Sequence, residues 1–205
     1  MTEIKQRIGI MGGTFDPIHM AHLMIAEEAM DAFKLDKVLF IPTAQPPHKR
    51  GKRIAPAKHR LAMVQMATCT NPRFFVSTIE LEREGPSYSW LTIQELKQHY
   101  GDSTELFFIT GSDMINDLYS WYHPKDLVEN CHFIGTTRPE VPFELDNLIK
   151  VVGKDLVDQK IHELVVPRLE LSSTDIRQRV AEGKSIRYLV PDIVEAYIAK
   201  EGLYR

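Results

Sequence analysis

Short apolar runs alternate along almost the whole chain with stretches whose apolar residues recur at helical spacing, and few folds accept that pattern. "RIGIMG" from Arg7, "KVLFIPT" from Lys37, "FFVST" from Phe74, "ELFFITGSD" from Glu105, "CHFIGTTR" from Cys131 and "IHELVV" from Ile161 read as strands. Between them, "HMAHLMIAEEAMDAF", "AKHRLAMVQMATC" and "YSWLTIQELKQHYG" read as helices. Strands and helices in alternation predict an α/β architecture, a doubly wound and mostly parallel sheet with helices on both faces. From about Leu171 the pattern turns helical, with "SSTDIRQRVAEG" and "PDIVEAYIAKEG" each closed by a glycine. With 205 residues and 43% hydrophobic content, one sizeable core is expected. The chain therefore reads as a single domain over 1–205 with a helical C-terminal subregion over about 171–205.

Charge and cysteines narrow the partners. Lys and Arg number 25 against 28 Asp and Glu, a net charge of -3, which argues against gripping nucleic acid through an overall positive field. Any phosphate must be met locally. Cys69 and Cys131 are far apart, and Cys69, inside an apolar helical run, reads as a buried free thiol. No signal-peptide block and no apolar run long enough for a membrane span is present. A cytoplasmic protein is expected, with no membrane partner and with a homo-oligomer left open. "TAQPPHKRGKRIAP", Thr43 to Pro56, reads as an active-site flap.

Chemistry concentrates in two places. "RIGIMGGTFDPIHMAHL" runs a strand into Gly12 and Gly13, a turn that lies where doubly wound sheets bind ligands. Its spacing fits neither the G-x-G-x-x-G nor the Walker pattern, so it is either simple chain geometry or a different phosphate turn. His19 and His22, three apart at a helix start, share one face. They are either two partly buried histidines bonded to backbone or donors to phosphate oxygens; a metal site would need ligands that no H-E-x-x-H or cysteine motif supplies. Thr14 and Asp16 add a hydroxyl and a carboxylate. In "LSSTDIRQRV", Ser172 and Asp175 match a capping box, while Ser172, Ser173, Thr174 and Arg177 together suit an anion such as a polyphosphate. Of the loop's basic residues, His48 and Lys49 lie nearest the strand end, and Arg50 to Arg53 read as a solvated face.

"GGTFDPIHMAH" and "LSSTDIRQRV" resemble the paired signatures of the nucleotidyltransferase superfamily that carries an HxGH motif. With "PPHK", "REGPSYSWLTI", "FFITGSDMINDLYSWYHP" and "TTRP" in order, the chain is similar to the bacterial nicotinate-mononucleotide adenylyltransferases over nearly its whole length. The resemblance implies a Rossmann-like fold and transfer of the adenylyl group of ATP, with Mg2+, to nicotinate mononucleotide in NAD synthesis. It implies catalytic roles for His19, His22, Lys49 and Arg177, and ATP contacts at Gly12, Gly13, Thr14, Phe15, His19, His22, Ser172, Ser173, Thr174, Ile176 and Arg177. Acceptor contacts would fall on Thr14, Asp16, Lys49, Tyr88, Ser89, Gly111, Asp113, Trp121 and Tyr122. Trp121, in a polar loop, would stack on the nicotinate ring, and Trp90, in an apolar helical stripe, reads as core. Asp113 would receive a ribose hydroxyl or support its loop.

Two positions depart from that pattern: Ala21 stands at the HxGH glycine, and Ser89 where threonine is commoner. The competing expectations are an adenylyltransferase for nicotinamide mononucleotide or phosphopantetheine, and a nucleotide-binding module without turnover.

Overall fold

A computed structural model describes residues 6–45, 54–137, 143–166 and 170–205. Strands form where the apolar runs fall: β1 Arg7–Gly13, β2 Lys37–Pro42, β3 Phe74–Val76, β4 Glu105–Gly111, β5 His132–Thr137 and β6 Ile161–Val165. They make one sheet of order β3-β2-β1-β4-β5-β6 in which every pairing is parallel. The two-residue period of a strand explains its two cores. Val38 and Phe40 of β2 and Phe107 and Ile109 of β4 enter one apolar cluster, whereas Leu39, Ile41, Leu106 and Phe108 enter the other. Strands buried on both faces need apolar residues at nearly every position, which is why they read as continuous runs.

Helices α1 Met20–Phe33, α2 Ala57–Thr68, α9 Ser173–Ala181 and α10 Asp192–Glu201 supply the first cluster. The second is covered by α4 Ser89–Tyr100, α5 Ser112–Asn116, α6 Pro124–Asn130, α7 Asp146–Val152 and α8 Lys154–Lys160. A short helix, α3 Ile79–Glu82, precedes α4, and a 3-10 turn spans Leu118–Ser120. The C-terminal helices share a core with α1 and α2 through Ile176, Val194 and Ile198.

The buried stripe of α2 is Arg60, Met63, Val64 and Ala67, the i, i+3, i+4, i+7 face of a helix. Cys69 falls off that stripe at the helix C-cap and is exposed, which corrects the expectation of a buried thiol; Cys131 is the buried one, and both are free. Gly9 admits no larger residue without repacking, because a Cβ there would lie 2.9 Å from Leu35 Cδ1 and 3.0 Å from Val38 Cγ2.

Strand order reverses between β1 and β4, so their carboxyl ends, Gly12–Gly13 and Gly111, flank the crevice where such sheets take ligands.

Candidate active site

The chain leaves β1 through Thr14 and Phe15, the latter at φ 47, and reaches His19 through a cis Asp16–Pro17 bond. This turn is held from beneath. Arg60, 2% exposed, donates from Nη1 to Thr14 O at 2.7 Å and from Nε to Ala55 O at 3.0 Å. Asp16 is also buried, and its Oδ1 accepts from Ala55 N at 3.2 Å and from the Tyr204 hydroxyl at 2.8 Å. Burial and the Asp16 carboxylate push the Tyr204 hydroxyl far up, so it stays a donor. Burial alone would weaken the charge on Arg60; the nearby Asp16 supports it. The buried cation and anion thus stabilise each other, and both hold Ala55 at the α2 end of the loop that joins β2 to α2.

His19 caps α1 and His22 lies one turn on, their rings stacked with centroids 3.7 Å apart. His22 Nδ1 accepts from His19 N at 3.2 Å, which places the proton of a neutral His22 on Nε2. Phe15 sets the other side of His22, edge to face at 5.2 Å. His19 is 5% exposed, and burial pushes its pKa down to about 4. Its side chain faces the His22 backbone N–H as in a capping box, but the buried Nδ1 makes no well-formed hydrogen bond among the described residues. A neutral imidazole with an unmatched buried nitrogen at a helix N-terminus is suited to a polar ligand group, and the helix field favours an anion.

The second signature packs onto the first across more than 150 residues of chain. Ser173 Oγ donates to Pro17 O at 2.8 Å, and Arg177 Nη1 donates to Asp16 O at 2.8 Å while Nη2 bonds Thr174 Oγ1 at 3.2 Å. Ser172 caps α9, accepting from Asp175 N at 3.1 Å and donating to Asp175 Oδ2 at 2.6 Å. The capping reading of "SSTD" therefore holds, and these hydroxyls anchor the helix start. Ile176 is fully buried in the core, its N–H bonded to Ser172 O, so its side chain fixes α9 from within.

Beside the turn lies a cavity of about 410 Å³. Gly12, Gly13 and Thr14 form one wall, Tyr88, Ser89 and Trp90 a second, and Phe108, Trp121 and Tyr122 a third. Gly13 keeps its wall thin, because a Cβ there would press to 3.2 Å against the Phe15 ring. Tyr88 and Tyr122 stack at 4.7 Å, and Trp121 stands edge-on to Phe108 at 5.9 Å. Trp90 packs on the second core cluster as expected and also lines the cavity, stacked on His123 at 4.7 Å; its buried Nε1 has no acceptor among the described residues.

The structure thus brings together His19, His22, Phe15, Asp16, Ser173, Thr174 and Arg177 on one side of the turn, and Thr14, Tyr88, Ser89, Trp121 and Tyr122 on the other. Gly111 and Asp113 adjoin the cavity at its strand end without lining it, Asp113 folded back over Gly111. Lys49, with His48, lies outside the described residues. Sequence reasoning missed Arg60, Tyr204 and Glu80. Arg60 had a signal, a charge on the apolar stripe of its helix; Tyr204 and Glu80 had none that local spacing reveals.

A family model described as cytidylyltransferase-like matches residues 10–179. A probable nicotinate-nucleotide adenylyltransferase of Thermoanaerobacter sp. (strain X514) is 47% identical over 208 residues, covering 99% of this chain and 96% of that protein. One of the same description from Moorella thermoacetica is 46% identical, covering 97% and 92%. Among solved structures, Plasmodium falciparum nicotinic acid mononucleotide adenylyltransferase complexed with NaAD superposes with a TM-score of 0.78 at 21% identity, covering 97% of each chain. At that identity the likeness carries the fold.

Proposed function

This chain belongs to the cytidylyltransferase-like family, and from that premise we propose that it transfers the adenylyl group of ATP to nicotinate mononucleotide, giving nicotinate adenine dinucleotide and pyrophosphate. Full-length relatives at 46–47% identity bear the name of that activity. The observation that carries the reading within the molecule is the packing of Arg177 and Ser173 onto Asp16 and Pro17. It joins two phosphate-suited elements, the starts of α1 and α9, at the turn that follows Gly12, Gly13 and Thr14 of the aromatic cavity's wall.

In this reading the start of α9 and Arg177 hold the polyphosphate of ATP, and the His19–His22 pair meets the reacting phosphates. The acceptor's ring enters the cavity, with Trp121 as its stacking surface and the backbone around Ser89 and Tyr122 meeting its carboxylate. A phosphate oxygen of the mononucleotide attacks the α-phosphorus in line, the bond from α-phosphorus to the bridging oxygen breaks, and pyrophosphate departs with the electron pair. The attacking dianion has no proton to lose, so the protein's part is placement and stabilisation of charge. His22 donates from Nε2, and neutral His19 adds a hydrogen bond without the cost of a buried second cation beside it.

The donors at this turn are imidazoles, hydroxyls and a guanidinium, which suit phosphate oxygens better than a hard cation. Mg2+ would accordingly enter on the triphosphate and supply charge neutralisation there. Lys49 would approach from the loop after β2.

The direct test is pyrophosphate release with ATP and Mg2+, comparing nicotinate mononucleotide, nicotinamide mononucleotide and phosphopantetheine. Preference for the first supports the reading. Preference for another overturns the acceptor assignment, and no release with any of them overturns the activity.

A further inference from the structure

Among the described residues that line the cavity, Glu80 is the one with a charged side chain. It is 7% exposed, and its surroundings are arranged to keep it an acceptor. Thr92 Oγ1 donates to Glu80 Oε1 at 2.8 Å and itself accepts from Arg83 Nη2 at 3.0 Å. Ser87 bonds the same carboxyl, while its Oγ accepts from Ala44 N at 3.2 Å and Gln45 N at 3.3 Å. The Thr92 hydroxyl, which also lies 3.5 Å from Tyr88 O, makes its shorter bond to Glu80, and two hydroxyl donors on one carboxyl suit its ionised form. Burial pushes its pKa up, and the Thr92 and Ser87 hydroxyls and Arg83 oppose that.

Arg83 does not cancel the charge, because its Nη1 is paired with Glu95 at 2.9 Å. With Glu80, Arg83 and Glu95 counted together the cluster stays at one negative charge. Among the described residues the Glu80 carboxylate is only partly compensated by Arg83, a costly arrangement beside an aromatic cavity that is explained if the cavity receives a cation. The mononucleotide acceptor supplies one. A pyridine ring joined to ribose through its nitrogen is a pyridinium, positive whatever substituent it carries.

We propose that Glu80 is a specificity-determining residue that recognises the positive charge of the N-ribosylated pyridinium ring within the cavity it lines together with aromatic side chains. It rests on the acceptor reading above. The ring then meets a carboxylate and electron-rich π faces in one cavity, both of which favour a cation. The same field repels the nicotinate carboxylate and turns it away from Glu80.

The test compares two mononucleotides of nearly one shape that differ in ring charge, nicotinamide mononucleotide and its dihydro form. Their dissociation constants are measured by calorimetry on wild type, Glu80→Gln and Ser87→Ala. Glu80→Gln is expected to lower the preference for the charged ring by about tenfold, the size of one partly screened charge contact. Ser87→Ala loosens the same segment but keeps the charge, so it should weaken both ligands together. An unchanged preference in Glu80→Gln, or an equal loss in the two variants, would overturn the proposal. Absence of wild-type turnover with nicotinate mononucleotide would instead remove the acceptor reading on which it rests.

Discussion

The imidazoles of His19 and His22 stack at 3.7 Å, and the backbone N–H of His19 occupies Nδ1 of His22. Two imidazolium rings at that separation would repel, so at most one carries a proton charge while they remain stacked. The arrangement fixes the tautomer of His22 through the chain itself and directs its other nitrogen to donate. A donor held in place before the substrate arrives stabilises charge that develops in the transition state without reorganising.

His22→Ala should therefore lower kcat by roughly 100- to 1,000-fold, the range for loss of one such donor. ATP affinity should change by less than about fivefold, because α9 and Arg177 are untouched. Turnover at the wild-type rate in a folded variant would remove His22 from the chemistry, and a loss appearing only in the ATP dissociation constant would make it a ground-state contact.

Burial keeps folded His19 neutral down to about pH 4, against 6.5 for the free side chain. Between those values the unfolded chain binds the proton and the folded chain does not, so stability falls as pH drops through that window. For His19 alone the loss amounts to about 3 kcal/mol if the whole window is crossed. His132 is displaced the same way, first by burial and then by Lys160, and adds to the slope. Urea unfolding of wild type and His19→Asn at pH 7 and pH 4.5 should show a wild-type loss larger by about 2 kcal/mol. Parallel curves for the two proteins would contradict a neutral, buried His19.

Arg60 and Tyr204 brace the turn from 46 and 188 residues away, ending on Thr14 and Asp16 respectively. Arg60→Met removes the more deeply buried of the two cations near Asp16, Arg177 remaining at 3.9 Å, together with the donors to Thr14 O and Ala55 O, a loss of about 3 kcal/mol. Tyr204→Phe leaves Asp16 Oδ1 bonded to Ala55 N and should cost about 1 kcal/mol. Denaturant titration separates the two, and an Arg60→Met protein as stable as Tyr204→Phe would mean that the turn holds itself.

The contrast between those residues shows what a sequence displays. The order of strands and helices was legible because periodicity is local: β2 and β4 must be apolar on both faces, and α2 carries its stripe in four residues. The His19–His22 and Ser172–Arg177 signatures were legible for the same reason, each lying within two helix turns. Their meeting at Asp16 and Pro17 came from resemblance, since no local spacing brings residue 177 to residue 16. Tyr204 looks like any tyrosine near a chain end, and nothing in the spacing of "IELERE" tells buried Glu80 from the carboxylates at 82 and 84. Cys69 was misjudged by one helix position, where a residue just past the stripe turns from core to solvent.

The different exposure of the two cysteines makes a simple measurement informative. Cys69 is exposed, whereas Cys131 is fully buried and its thiol is pushed up to about 12 by burial. A thiol reagent at pH 8 should modify one cysteine quickly in the native protein and the second only after denaturant is added. Rapid modification of both without denaturant would show that the core behind β5 opens on the timescale of the reaction.

Trp121 separates the two halves of the proposed site. It borders the cavity against Phe108 and Phe133, away from the α9 start that would hold ATP. Trp121→Ala removes an aromatic surface that an acceptor ring would cover, and such stacking contributes about 1 kcal/mol beyond the area it buries. The KM for nicotinate mononucleotide should then rise at least about tenfold once the lost area is included, while the KM for ATP stays within about twofold. If both constants rise together, Trp121 supports the fold of the crevice and the ring must stack elsewhere, with Tyr88 and Tyr122 as the remaining aromatic pair on the cavity wall.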